Sequence, residues 1–131
     1  MRKTIYIIAS ISAGLAVALG AFGAHGLQSL TSDPKIIHGY ETAVEYQFYH
    51  SLALFITGLL SDKFNVSWLR WAKRCFIAGI ILFSGSLYLL TFLKLHEDGF
   101  TRYVGPVTPL GGLLFILGWM MIAIAVWSEK R

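Results

Sequence analysis

Four stretches of this chain read as helices able to cross a hydrocarbon layer, and the polar positions within and between them carry most of the remaining information. The first is uncharged from Ile5 to Ala24. About 20 residues at 1.5 Å rise per residue span the ~30 Å core of a bilayer. Within it Ser12, Ala16, Gly20 and Ala24 recur at i+4, and Ser10, Gly14 and Ala18 form a second row, a small-residue pattern that permits close helix approach. Met-Arg-Lys ahead of this run and Ala16-Val-Ala18 inside it also fit a signal peptide. The uncharged run exceeds the core of about 7 to 15 residues usual there, so it is expected to stay as a span. Gly26 to Gly39 is predicted as the first loop, with Thr31-Ser-Asp-Pro34 supplying an N-cap and a first-turn proline for a short helix. A second span is predicted from about Tyr40 to Ser61. Asn65 and Ser67 are candidate caps for a third helix, whose basic, Trp-rich turns Trp68 to Arg74 lead into a span over Cys75 to Leu93. After the charged loop Lys94 to Tyr103, Gly105-Pro-Val-Thr-Pro-Leu-Gly-Gly112 opens a fourth span that ends near Trp127, its prolines suited to a first helical turn.

Composition sharpens this into a class. Hydrophobic residues make up 56% of the 131 and charged residues only 14%, against about 25% charged in an ordinary globular domain. Mean hydropathy is +0.63. The chain reads as one all-α polytopic membrane domain over residues 1–131, with membrane lipids as its first partner. The net charge of +4 reflects where the basic residues sit. Arg2, Lys3, Lys63, Arg70, Lys73, Arg74, Lys130 and Arg131 fall on one side of the predicted spans, and only Lys35, Lys94 and Arg102 on the other. That bias predicts both termini in the cytoplasm, and Tyr6, Trp68, Trp71 and Trp127 against Tyr40 and Tyr103 mark the two interfaces. No basic stripe interleaved with aromatics suggests nucleic acid. The single cysteine, Cys75, excludes an intramolecular disulfide relay and a Cys-rich metal site.

The polar residues then gather by topology. With alternating spans, His25, Glu41, Glu45, Tyr46, Gln47, Ser84, Ser86, Tyr88 and Thr108 share the outer half, and His50 lies roughly 15 Å deep, near the midplane. On the second span Tyr46, Gln47 and His50 are expected to share a face with Ala43. An ionised carboxylate facing lipid costs about 2.5–3.5 kcal/mol, so Glu45 is expected to point inward, reach the interface or be protonated. A contact from Glu41 or Glu45 to His25 is the expected pairing.

At Gly20-Ala-Phe-Gly-Ala-His-Gly-Leu27, Thr42-Ala-Val-Glu-Tyr-Gln-Phe-Tyr-His50, Phe83-Ser-Gly-Ser-Leu-Tyr88, Gly105 to Gly112 and Gly118-Trp119, the chain resembles the YgdD/YwdK family of small bacterial membrane proteins, domain of unknown function 423, which has a mitochondrial relative in animals. The resemblance implies four transmembrane helices and a bacterial plasma-membrane location. It implies no activity, so no catalytic residue is carried over, and the matching residues His25, Tyr46, Gln47, His50, Ser84, Ser86, Tyr88, Thr108 and Pro109 overlap the outer-half group.

Several chemistries compete for those residues. They can be interhelical glue in a structural or accessory protein. They can line an outer-leaflet pocket for a proton, cation, lipid or quinone head group, in a small transporter or binding protein. Haem or copper ligation by His25, His50 and His38 is disfavoured because His25 lies at the surface and His50 near the midplane. Ser84 and Ser86 lack a nearby base and a strand-to-helix turn, and Gly111-Gly112 lacks a phosphate-loop context. The expectation is therefore no catalytic set, no cofactor and no metal, with self-association through the first helix and an unidentified protein partner left open.

Overall fold

The structure, a computed structural model, describes residues 2–129; Lys130 and Arg131, two of the basic residues in the charge count, lie outside the described residues. It is all-helical, with α1 over Arg2–Leu30, α2 over Pro34–Leu60, α3 over Val66–Leu95 and α4 over Thr101–Trp127. Three of these, α1, α3 and α4, are long and apolar enough to cross a membrane. α2 is equally long, but its polar run from Glu41 to His50 dilutes its hydropathy.

Local chemistry sets the ends. Asp33 accepts a hydrogen bond from the Lys35 backbone N–H at 2.9 Å with Pro34 in the first turn, and Asn65 caps α3 by accepting from the Ser67 N–H at 3.1 Å. Both caps satisfy N–H groups that have no partner within the helix. The cap at Asp33 sits where the pattern predicts, but it opens no separate short helix. Nothing between Pro34 and Tyr40 interrupts the helical ladder, so α2 is one continuous helix beginning at Pro34. The predicted loop from Gly26 to Gly39 is corrected accordingly. α1 continues to Leu30 through a π-helical turn, Gly23–Leu27, and only Thr31, Ser32 and Asp33 link it to α2. The predicted loop Lys94 to Tyr103 is also shorter than expected, since α3 runs to Leu95 and Thr101–Val104 forms the opening turn of α4, leading into Val107–Trp127.

α2 and α3 occupy the middle of the molecule, with α1 packed along α2 and α4 along α3. Arg2 and Asp62, in a salt bridge at 2.6 Å, hold the start of α1 beside the end of α2. The apolar core sits toward that end, where Ile5, Ala9, Ala53, Leu54, Ala72, Phe76 and Phe115 meet. Glycine makes the α3–α4 contact possible. A Cβ on Gly111 would lie 2.3 Å from the Phe83 backbone nitrogen, and one on Gly118 would lie 2.6 Å from the Phe76 ring. Phe83 belongs to a second π-helical turn, Ile80–Ser84, so α4 backbone meets α3 backbone where α3 bulges.

Candidate functional site

Above the apolar core Gln47, His50 and Ser51 of α2 turn inward and bond to the three other helices. Gln47 is 3% exposed. Its Nε2 donates to the Ser12 carbonyl of α1 at 2.9 Å, and its Oε1 accepts from the Tyr88 hydroxyl of α3 at 2.7 Å. Ser51, one turn on, approaches the Ser12 hydroxyl at 2.7 Å and the Gln47 carbonyl at 2.6 Å. Ser84 donates to the Ala43 carbonyl at 2.7 Å, and the Tyr40 hydroxyl donates to the Leu19 carbonyl. Every buried side-chain nitrogen or oxygen among the described residues has a hydrogen-bond partner, as groups shielded from water require.

His50 forms the lower edge of this set. Its Nδ1 lies 2.7 Å from the Tyr46 carbonyl. A carbonyl only accepts, so Nδ1 carries the proton and Nε2 is left as acceptor. Nε2 takes a hydrogen bond from the Trp119 indole N–H at 3.2 Å. The imidazole also stacks on Phe115, with centroids 3.5 Å apart and planes within 6°. Both ring nitrogens are therefore committed, and in this arrangement neither has a lone pair to offer a metal. Among the described residues, no group of three or more His, Cys, Asp or Glu side chains is placed to hold a metal ion.

Of the ten predicted site residues, the structure brings Gln47 and Tyr88 together directly and seats Ser84 against the same helix. Ser86 and Thr108 form a separate pair at 2.6 Å between α3 and α4. Tyr46 departs from its predicted face. It is 38% exposed, and its ring stacks on Phe83 with centroids 4.7 Å apart instead of joining the polar set. Glu41, Glu45 and His25 are exposed. The expected contact between His25 and a glutamate is not formed; among the described residues the salt bridge is Arg2–Asp62. The π-helical turn explains part of this, because it carries Gly23 and Leu27 into the interior and leaves His25 outside. Ser12 and Trp119 are hydrogen-bond partners of this set that residue type alone did not nominate. Ser12 lies in a small-residue row, and what Gln47 uses is its backbone carbonyl.

A groove of about 330 Å³ between α1 and α3 reaches Ser12 and Gln47, but the remaining residues lining it, Leu54 and Ile77 among them, are aliphatic. Both polar groups at its floor are already bonded to each other. A different groove, between α1 and α2, is bordered by Glu41 and Glu45.

Comparison with known proteins finds relatives that are named as membrane proteins. A family model described as "Protein of unknown function (DUF423)" matches residues 19–112. A UPF0382 membrane protein of Staphylococcus aureus is 44% identical over 126 residues, covering 96% of this chain and 97% of that protein. The UPF0382 membrane protein YwdK of Bacillus subtilis is 43% identical over 124 residues, covering 94% and 95%. No solved structure matches the chain.

Proposed function

Because the chain belongs to the DUF423 family, whose bacterial relatives are membrane proteins, we propose that it is a structural or accessory component of the bacterial plasma membrane. The observation that carries the reading is the buried network through which Gln47 ties α2 to Ser12 of α1 and Tyr88 of α3. A substrate site needs polar groups with bonding capacity to spare, whereas these groups are spent on one another. Their work is to fix helix register, for which interhelical hydrogen bonds in lipid are suited.

In this reading residues 1–131 are a single domain of four spans, about 5–24, 40–61, 75–93 and 105–127, with both termini cytoplasmic. α2 would cross with the others, since Gln47, His50, Ser51 and Thr57 are buried among the helices and both glutamates lie in the first turns of the predicted span. The basic bias of Arg2, Lys3, Lys63, Arg70, Lys73 and Arg74 supports the orientation.

An accessory role requires a partner, and α1 presents one surface for it. Ala16 is buried, and a Cβ on Gly20 would lie 3.2 Å from Val44, so the row containing them serves the contact with α2. Ser10, Gly14 and Ala18 are exposed, with nothing within 4 Å of a Cβ built on Gly14. This second row would join one copy to another. Native mass spectrometry from mild detergent is expected to show an oligomer that Gly14→Leu converts to monomer, with unfolding unchanged. A wild-type chain that remains monomeric in both detergent and nanodiscs would remove self-association from the reading. The alternative, a small transporter or binding protein for a proton, cation, lipid or quinone head group, draws its support from the α1–α2 groove.

A further inference from the structure

Early in α3, Arg70, Lys73 and Arg74 place three cations within five residues. The salt bridge among the described residues, Arg2–Asp62, uses none of them. Arg70 and Arg74 are exposed and Lys73 is half-buried. A basic turn at the end of a span also serves to orient the chain, so charge alone does not define a ligand. Two further features of the same helix do.

The first is what lies next on that face. Spacings of three, four and seven residues share one side of a helix, so the stripe of Arg70, Lys73 and Arg74 runs on into Ile77 and Ile81. These two isoleucines line the groove between α1 and α3, opposite Ile8, Ile11 and Leu15. The polar groups at its floor, Ser12 and Gln47, are bonded to each other, which leaves the groove suited to hydrocarbon. The second feature fixes depth. Trp68 and Trp71 are both exposed beside the cations, and the Arg74 guanidinium lies 4.9 Å from the Trp71 ring centroid. Tryptophan favours the head-group level of a bilayer, and at 1.5 Å per residue Ile77 and Ile81 fall about 5 and 10 Å deeper than Arg74. Stacking engages the face of the guanidinium and leaves its N–H edge to donate.

Cations at head-group depth that continue into an apolar groove repeat the order of a phospholipid, anion outside and hydrocarbon inside. A free phosphate would answer the cations and leave the groove untouched. Phosphatidylcholine carries a quaternary ammonium beyond its phosphate and adds positive charge to the cluster. A second copy, related by a two-fold axis along the membrane normal, would bring its own Arg70, Lys73 and Arg74 to the same level, and like charges facing each other are unfavourable. We propose that the α1–α3 groove is a site for an anionic phospholipid, its phosphate held by Arg70, Lys73 and Arg74 and one acyl chain lying along Ile77 and Ile81. This goes beyond the accessory reading and needs only that α1 and α3 cross the membrane, so loss of either conclusion leaves the other standing.

The test is native mass spectrometry of the full chain from mild detergent, titrated in parallel with phosphatidylglycerol and with phosphatidylcholine of the same acyl chains. A saturable first adduct is expected at roughly tenfold lower concentration of phosphatidylglycerol. Arg70→Gln with Lys73→Gln should weaken that adduct about tenfold or more and leave phosphatidylcholine unchanged, a selectivity that general loss of structure would not produce. Ile81→Trp keeps the cations but fills the groove, and should also weaken the adduct. An unchanged thermal transition identifies folded variants, and the exposed Ile11, as Ile11→Trp, replaces Ile81→Trp if that fails. Equal affinity for the two lipids in the wild type, a preference that survives the double glutamine variant, or full binding with the groove filled overturns the proposal. Displacement of the lipid by inorganic phosphate at millimolar concentration would assign the cations to a free anion, and a dimer cross-linked through Ile81→Cys would assign the groove to a second copy. Either result also overturns it.

Discussion

Gln47 spends the two ends of its amide on two different helices, and that makes it the residue whose replacement is most informative. Gln47→Leu keeps the volume but leaves the half-buried Tyr88 hydroxyl without its acceptor. An orphaned buried polar group costs about 1–3 kcal/mol, so the variant should unfold at lower denaturant by that amount, while Gln47→Leu with Tyr88→Phe should recover part of it. A double-mutant cycle on the pair is expected to give a coupling of about 0.6 kcal/mol, the average for interhelical bonds in membranes; zero coupling would mean that the bond does not contribute. At this scale much of the site was legible in advance. Gln47, Tyr88, Ser84, Ser86 and Thr108 stand out as polar groups in apolar runs, and alternating topology places them in one half of the molecule. The partners were less legible. Ser12 enters through a backbone carbonyl, which every residue has, and Trp119 becomes an acceptor's partner only because α4 lies against His50. Tyr46 shows the opposite error, since its i+4 relation to His50 held while its ring turned toward Phe83.

At the scale of the elements, the four long helices and their order followed from hydropathy and caps, whereas the separate short helix expected at Pro34 proved to be the start of α2 and the irregularities were not foreseen. A π-helical turn adds one residue to a helical turn without changing the apolar pattern that announces the helix. The turn at Ile80–Ser84 has a consequence for packing, because Gly111 abuts its backbone. A side chain has rotamers with which to yield, and a peptide group in a helix has none. Gly111→Ala is therefore expected to cost about 3 kcal/mol or more and to lower the yield of folded protein. Gly39→Ala, helical and with nothing within 4 Å of its Cβ, should be neutral or stabilising by up to about 1 kcal/mol. Thermal unfolding of the two variants in one detergent is the comparison to make, and equal losses would contradict the backbone contact.

For the molecule as a whole, a single buried cysteine, Cys75, provides a quiet background for mapping its orientation. Cysteine introduced at Gly99, in the connection between α3 and α4, should react with an impermeant maleimide in intact cells. Cysteine at Lys63, between α2 and α3, should react only after the membrane is opened. The reverse pattern would invert the proposed orientation and move the acidic groove to the cytoplasmic leaflet. The Gln47 network also bears on how the chain is made. In the proposed four-span topology, an α1–α2 hairpin would already hold one end of the Gln47 amide on the Ser12 carbonyl before α3 follows in the chain, and the Tyr88 hydroxyl would complete the other end.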